Sequence, residues 1–270
     1  MKLSFSTLGC HEYTLDQIID CGKKYGFDGV ELRHVEKNVN LWELPDFASG
    51  ASLAASKRKL DDAGLKVCVV GASGSYAKAG QEHRREQTDL FMRWAEVAQG
   101  LGCPYIRVFG GPVPDGQTME ETLKWDIDGY CSAFPEISKF GVTMLFETHD
   151  SFSTSKGLLP LLQNLRGNFG VVWDLLHPLR FGEPYEETWK NLGPWVKHIH
   201  VKDSRVFSET AFDFMLPGEG ILPLPGMIEL LEKNGYQGYY SFEWERGWHP
   251  EIPPCDISFP RYMEYMRQFN

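Results

Sequence analysis

Two periodicities of apolar and polar residues take turns along this chain from its first residues to its last. Short apolar runs, rich in β-branched and aromatic residues, predict eight strands. They are Leu3–Thr7, Gly29–Arg33, Lys66–Gly71, Tyr105–Phe109, Val142–Glu147, Gly170–Asp174, Val196–Val201 and Tyr239–Glu243. Segments with a helical repeat separate them. One is capped by Thr14 and runs to Tyr25; others cover Ser52–Asp62, Gln81–Leu101, Met119–Phe140, Ser155–Leu165, Glu186–Leu192 and Pro225–Asn234. A last helix is expected over Ser258–Gln268. In the third of these, Leu90, Trp94, Val97, Ala98 and Leu101 fall on one helical face. Gly64 and Gly141 are placed to stop their helices, and Pro135 predicts a kink.

Eight strand–helix units in a row predict an α/β fold, a (β/α)8 TIM barrel, rather than an open doubly wound sheet. No linker or low-complexity stretch interrupts the alternation, so residues 1–270 are expected to form one domain. In such barrels the chemistry sits at the C-terminal ends of the strands.

Four of the predicted strands carry a metal-ligand residue at that end: Glu147, Asp174, His200 and Glu243. One such residue merely begins a polar loop as often as not; four in succession point to a shared centre. Two glutamates, one aspartate and one histidine make a hard, oxygen-rich set suited to one divalent ion such as Mn²⁺, Mg²⁺, Co²⁺ or Zn²⁺. Side chains alternate along a strand, so Val196, His198, His200 and Lys202 share a face, with His200 nearer the catalytic end than His198. By the same rule Glu243 and Glu245 point one way, while Trp244, like Trp173, should pack outward. Lys202 is placed to meet a phosphate or carboxylate of a substrate, the alternative being a solvated lysine. Glu31 and Arg33 share a face at the end of the second strand, where a mutual surface pair is expected.

Composition narrows the partners. A net charge of −10 opposes binding to a phosphate backbone, which depends on clustered Lys and Arg. No apolar run approaches the roughly 20 residues needed to span a bilayer. The N-terminus reads as a strand rather than a signal peptide, which predicts a cytoplasmic protein. Six cysteines without a Cys-x-x-Cys pair, several in apolar segments, are expected to be free thiols.

Five segments resemble the sugar phosphate isomerase/epimerase superfamily of xylose-isomerase-like TIM barrels. They are Phe146-Glu147-Thr148-His149-Asp150, Trp173-Asp174-Leu175-Leu176-His177-Pro178, His198-Ile199-His200-Val201-Lys202-Asp203, Pro217-Gly218-Glu219-Gly220 and Phe242-Glu243-Trp244-Glu245. The resemblance spans nearly the whole chain. It implies that Glu147, Asp174, His200 and Glu243 bind the metal and that Glu147 and Glu243 also exchange protons with substrate. It further implies a substrate contact for His177 and, one residue out of register, for Arg205. The substrate class would be a small sugar-like polyol ketone, and related barrels often form homo-oligomers. A further glutamate that ketose 3-epimerases carry six residues after the first is Ser153 here, a departure that counts against that reaction in particular. The resulting expectation is a metal-dependent isomerase or epimerase that moves a proton beside a carbonyl through an enediolate.

Three other readings stay open on sequence grounds. Dehydratases of keto-inositols or dehydroshikimate share the first proton abstraction. An endonuclease IV-like phosphodiesterase needs extra histidines after the third and fourth strands, where this chain has Gly71-Ala72-Ser73-Gly74-Ser75 and Phe109-Gly110-Gly111. An inactive barrel conflicts with four intact ligand positions.

Overall fold

Residues 1–269 are described in a computed structural model. The first seven strands are β1 (Lys2–Ser6), β2 (Gly29–Leu32), β3 (Lys66–Gly71), β4 (Tyr105–Val108), β5 (Thr143–Glu147), β6 (Phe169–Asp174) and β7 (Val196–Val201). Each pairs in parallel with the next. After β7 the chain leaves the barrel as an antiparallel hairpin, β8 (Asp203–Phe207) and β9 (Phe212–Met215). It then returns as β10 (Tyr239–Phe242), which bonds to β7 on one side and β1 on the other and closes the cylinder.

The helices around it are α1 (Leu15–Tyr25), α2 (Gly50–Asp62), α3 (Gln81–Leu101), α4 (Met119–Ile137), α5 (Ser155–Asn164), α6 (His177–Arg180), α7 (Tyr185–Leu192), α8 (Leu224–Lys233) and α9 (Cys255–Met266). Local chemistry sets several ends. Thr14 with Gln17, and Thr118 with Glu121, form reciprocal capping boxes at the starts of α1 and α4. Gly26 takes the left-handed conformation that ends α1. The α4 ladder stops at Ile137, two residues after Pro135, and a 3-10 turn carries the chain to Phe140, so the expected long helix is shorter by that turn. The hairpin and α6 were not expected. Phe212 and Phe214 hold the hairpin against Trp244 and His249, contacts that no local pattern announces.

Most of the core lies between the strands and the helices. Phe242 stacks on Tyr262 of α9 with ring centroids 4.7 Å apart, and Trp173 faces Trp189 of α7 at 6.2 Å, so both strands present aromatics outward. Inside the barrel Val69, Leu145 and Val172 make a small apolar plug with Tyr105 against it. Above that plug, toward the C-terminal mouth, the inward positions are polar. All six cysteines are free, and no helix among the described residues is long and apolar enough to cross a membrane.

Candidate active site

The barrel register explains why the four ligand candidates meet. Asp174 of β6 pairs with His200 of β7, His200 pairs with Ser241 of β10, and Glu147 closes β5 beside Val172. Glu243 follows β10 by one residue and donates its amide to Val201. One potential ligand atom from each of Glu147, Asp174, His200 and Glu243 lies within 4.8 Å of every other. His200 Nδ1 is 3.0 Å from Glu243 Oε2, 3.2 Å from Glu147 Oε1 and 3.9 Å from Asp174 Oδ2. All four residues are buried.

The donor set suits a divalent cation. Asp174 Oδ1 accepts the amides of Leu176 and His177 at 2.8 and 3.2 Å, which caps α6 and leaves Oδ2 facing the centre. Asp174 Oδ2, Glu147 Oε2 and Glu243 Oε2 are buried without an aligned hydrogen-bond donor. Buried carboxylates are seldom left so unless they are paired or metal-bound. Cations nearby compensate in part. Lys202 Nζ lies 2.8 Å from Asp174 Oδ2, 2.6 Å from Glu243 Oε2 and 2.5 Å from Glu245 Oε1, and Arg33 reaches Glu243 Oε1. Burial opposes ionisation of Glu243, yet His200, Lys202 and Arg33 outweigh it and hold its carboxyl well below the usual range. Burial and Glu243 push Glu147 up, but His200 and Arg107 win and keep it low. For Asp174 the balance falls the other way: burial, with Glu243 and Glu147, outweighs Lys202 and raises it.

A second tier holds the first. Glu31 Oε2 sits 2.9 Å from Nε2 of His198 and 2.9 Å from Nε2 of His200, and it accepts the Ser241 hydroxyl at 3.3 Å. With Nε2–H of His200 given to Glu31, Nδ1 is the nitrogen that faces the three carboxylates. Arg107 is completely buried on β4, its Nε 3.3 Å from Glu147 Oε2 and its guanidinium 4.0 Å from the Phe109 ring. Burial and the neighbouring Arg33 lower it to about 10. Arg33 passes over Gly71 so closely that a Cβ there would lie 2.2 Å from its Cδ.

Several sequence expectations change here. Glu31 and Arg33 are not a surface pair: both are buried, and Arg33 engages Glu243 with Glu31 Oε1 3.9 Å away. Lys202 is not solvated; its side chain is 1% exposed among three carboxylates. His198, set aside in favour of His200, is a buried partner of Glu31. Arg107 was missed altogether, although a charged residue on the inward face of the run Tyr105–Val108 was its signal. Arg205 is not brought into the cluster. It lies on β8 with 67% of its side chain exposed and is bonded to Asp213. Ser153, at the position of the extra glutamate, turns its hydroxyl to the Asp150 carbonyl at 2.8 Å. Asp150 itself takes a left-handed φ of 49°, which shapes the turn after β5.

His177 does reach the site. Its Nε2 is 3.7 Å from Asp174 Oδ2, buried and without a hydrogen-bond partner. Burial, then Lys202 and His149, push its pKa well below the ordinary histidine value, so the ring is neutral. The His149 ring lies between those of His177 and Phe109, at 4.7 and 4.8 Å. At the mouth, His34 meets the edge of Trp248, which is largely exposed.

Known proteins resemble the chain along most of its length. A fructoselysine 3-epimerase of Escherichia coli O157:H7 is 33% identical over 258 residues, covering 90% of each chain. An inosose isomerase of Bacillus licheniformis is 22% identical over 255 residues, 90% of this chain and 88% of that one. Among solved structures, the probable 3-DHS dehydratase AsbF of Bacillus anthracis superposes with a TM-score of 0.80 at 17% identity, covering both chains fully. The IOLI protein with a bound zinc atom also gives 0.80, at 19% identity over 99% of this chain and 96% of that one. At such identities these two matches speak for the fold alone. The family model described as xylose isomerase-like TIM barrel matches residues 19–258. The chain belongs to the xylose isomerase-like TIM barrel family.

Proposed function

We propose that this protein is a divalent-metal-dependent isomerase or epimerase of a sugar or sugar-like polyol ketone, acting by proton transfer through an enediolate. The observation that carries the reading is the buried ring of three carboxylates around His200 Nδ1, each with an oxygen that lacks an aligned donor. Glu147, Asp174, His200 and Glu243 would hold the ion. When bound, a cation such as Mn²⁺, Mg²⁺, Co²⁺ or Zn²⁺ supplies Lewis-acid polarisation of a carbonyl. The names of the curated relatives, an epimerase and an isomerase of sugar-like compounds, agree with this reaction class.

The remaining work falls to side chains of this chain. Glu147 and Glu243 come from β5 and from the end of β10, on opposite sides of His200, and both are ionised at neutral pH. One is placed to take the proton next to the carbonyl; the other, anionic at rest, first takes a proton from a substrate hydroxyl or from solvent and then returns it to the carbon. Neutral His177 offers a ring nitrogen to a substrate oxygen. Lys202 and Arg33, with His200, keep Glu243 anionic between turnovers, and His200 and Arg107 do the same for Glu147.

Glu147→Gln and Glu243→Gln, made separately, should each abolish turnover with metal in excess. Each should also abolish exchange of the substrate α-hydrogen with solvent deuterium, or leave it on only one face. Full exchange retained in both variants would overturn the assignment. A dehydratase would share the abstraction step, and loss of water in the products would put that reaction in place of isomerisation.

A further inference from the structure

Helix α6 is a single turn, and His177 and Arg180 stand three residues apart on one side of it, where side chains meet. Arg180 Nη1 lies 3.3 Å from His177 Nδ1. A guanidinium has five N–H donors and no acceptor, so Nδ1 must be the accepting nitrogen and the ring proton must sit on Nε2. That Nε2–H is the buried group with no partner, aimed into the site beside Asp174. The rest of the guanidinium is engaged elsewhere. Nε donates to the Ser208 carbonyl at 3.0 Å, Nη2 donates to the Glu209 carbonyl at 2.8 Å, and the group lies 4.6 Å from the Phe212 ring. All three partners belong to the tip and far strand of the β8–β9 hairpin.

We propose that Arg180 is a positioning residue that fixes His177 as its Nε2–H tautomer, so that His177 donates to a substrate oxygen while the hairpin is docked. The inference deepens the isomerase reading by giving His177 a direction: it is a hydrogen-bond donor and not the base that takes the α-proton. A single arginine thus joins the folded hairpin to the polarity of the site. The nearest alternative is that Arg180 only anchors the hairpin and that His177 finds its tautomer unaided.

Nitrogen NMR of histidine-labelled, Zn²⁺-loaded protein separates the two, with His177→Gln identifying the signals. In the wild type the His177 Nδ1 should be pyridine-like and Nε2 pyrrole-like. Arg180→Met, which removes every bond, should give a mixed or reversed tautomer. Arg180→Lys keeps one donor for Nδ1 but loses the paired carbonyl bonds, so it should retain the tautomer while the amide signals of residues 204–215 shift. In turnover, Arg180→Met should lose about tenfold in kcat, the bias a charge-assisted hydrogen bond supplies, with KM changed less; Arg180→Lys should recover most of it. A wild-type Nδ1–H signal would overturn the inference, and so would an unchanged tautomer in Arg180→Met. Both readings are made without substrate, so they stand or fall apart from the proposed reaction.

Discussion

Replacing Glu31 by Gln tests whether the lower tier of the site works as a support for the proposed metal ligands. The change is isosteric and removes only the charge and one acceptor. Glu31 Oε2 now takes His198 Nε2 and His200 Nε2 at 2.9 Å each, and burial of this carboxylate is tolerable because both histidines, through charge and hydrogen bonds, hold it well below its usual pKa. A glutamine amide can turn its NH₂ toward His200 Nε2, which favours a proton on Nδ1, the nitrogen needed as ligand. Loss of such an outer carboxylate typically weakens metal binding about 10–100-fold, or about 1.4–2.7 kcal/mol. The assay is calorimetric titration of Mn²⁺ into metal-stripped wild type, Glu31→Gln and His198→Gln. One ion per chain is expected, with Glu31→Gln at least about tenfold weaker and His198→Gln between the two, because Glu31 still holds His200 in that variant. Unchanged affinity in Glu31→Gln would refute the reasoning. Two ions in the wild type and one in Glu31→Gln would show instead that Glu31, His198 and His200 hold an ion of their own, since these three also cluster closely.

Two further outcomes are expected. Arg205→Ala removes an exposed pair with Asp213, so it should change stability by no more than about 1 kcal/mol and kcat/KM by about twofold at most; a hundredfold loss would mean that the hairpin carries Arg205 into the site during turnover. The His34 ring is pushed down from 6.5 to about 4 by burial and by the positive charge of Arg33, His11 and Arg107. The unfolded chain therefore binds the extra proton between those values, and stability is lost as pH falls from 6.5 toward 4. From pH 7 to 5 the loss is at most about 2 kcal/mol by proton linkage. Urea unfolding of wild type and His34→Gln across that range should show the smaller slope in the variant, and coincident slopes would remove His34 from the account.

Much of this molecule was legible from pattern alone, for a physical reason. A strand buried by helices on its outer face and plugged at its inner face must be apolar on both, and a helix must be apolar on one side. The alternation of those two signatures therefore locates all eight staves, with Lys66–Gly71 and Val196–Val201 matching to the residue. The same alternation selected Glu147, Asp174, His200 and Glu243, because an ionisable residue at the inward C-terminal position of a barrel strand faces the mouth. What periodicity could not decide is the state of charges whose partners are distant in the chain. Lys202 and Arg33 look like surface residues until Glu243, more than 40 and 200 positions away, is brought beside them. Nor could it reveal the β8–β9 hairpin, held by Trp244 and His249 from the loop after β10, or the turn of α6 that presents His177. Local sequence determined which elements form and which faces they turn inward. Closure of the barrel decided which charges are buried together, because burial and pairing belong to the assembled structure and not to any segment of it.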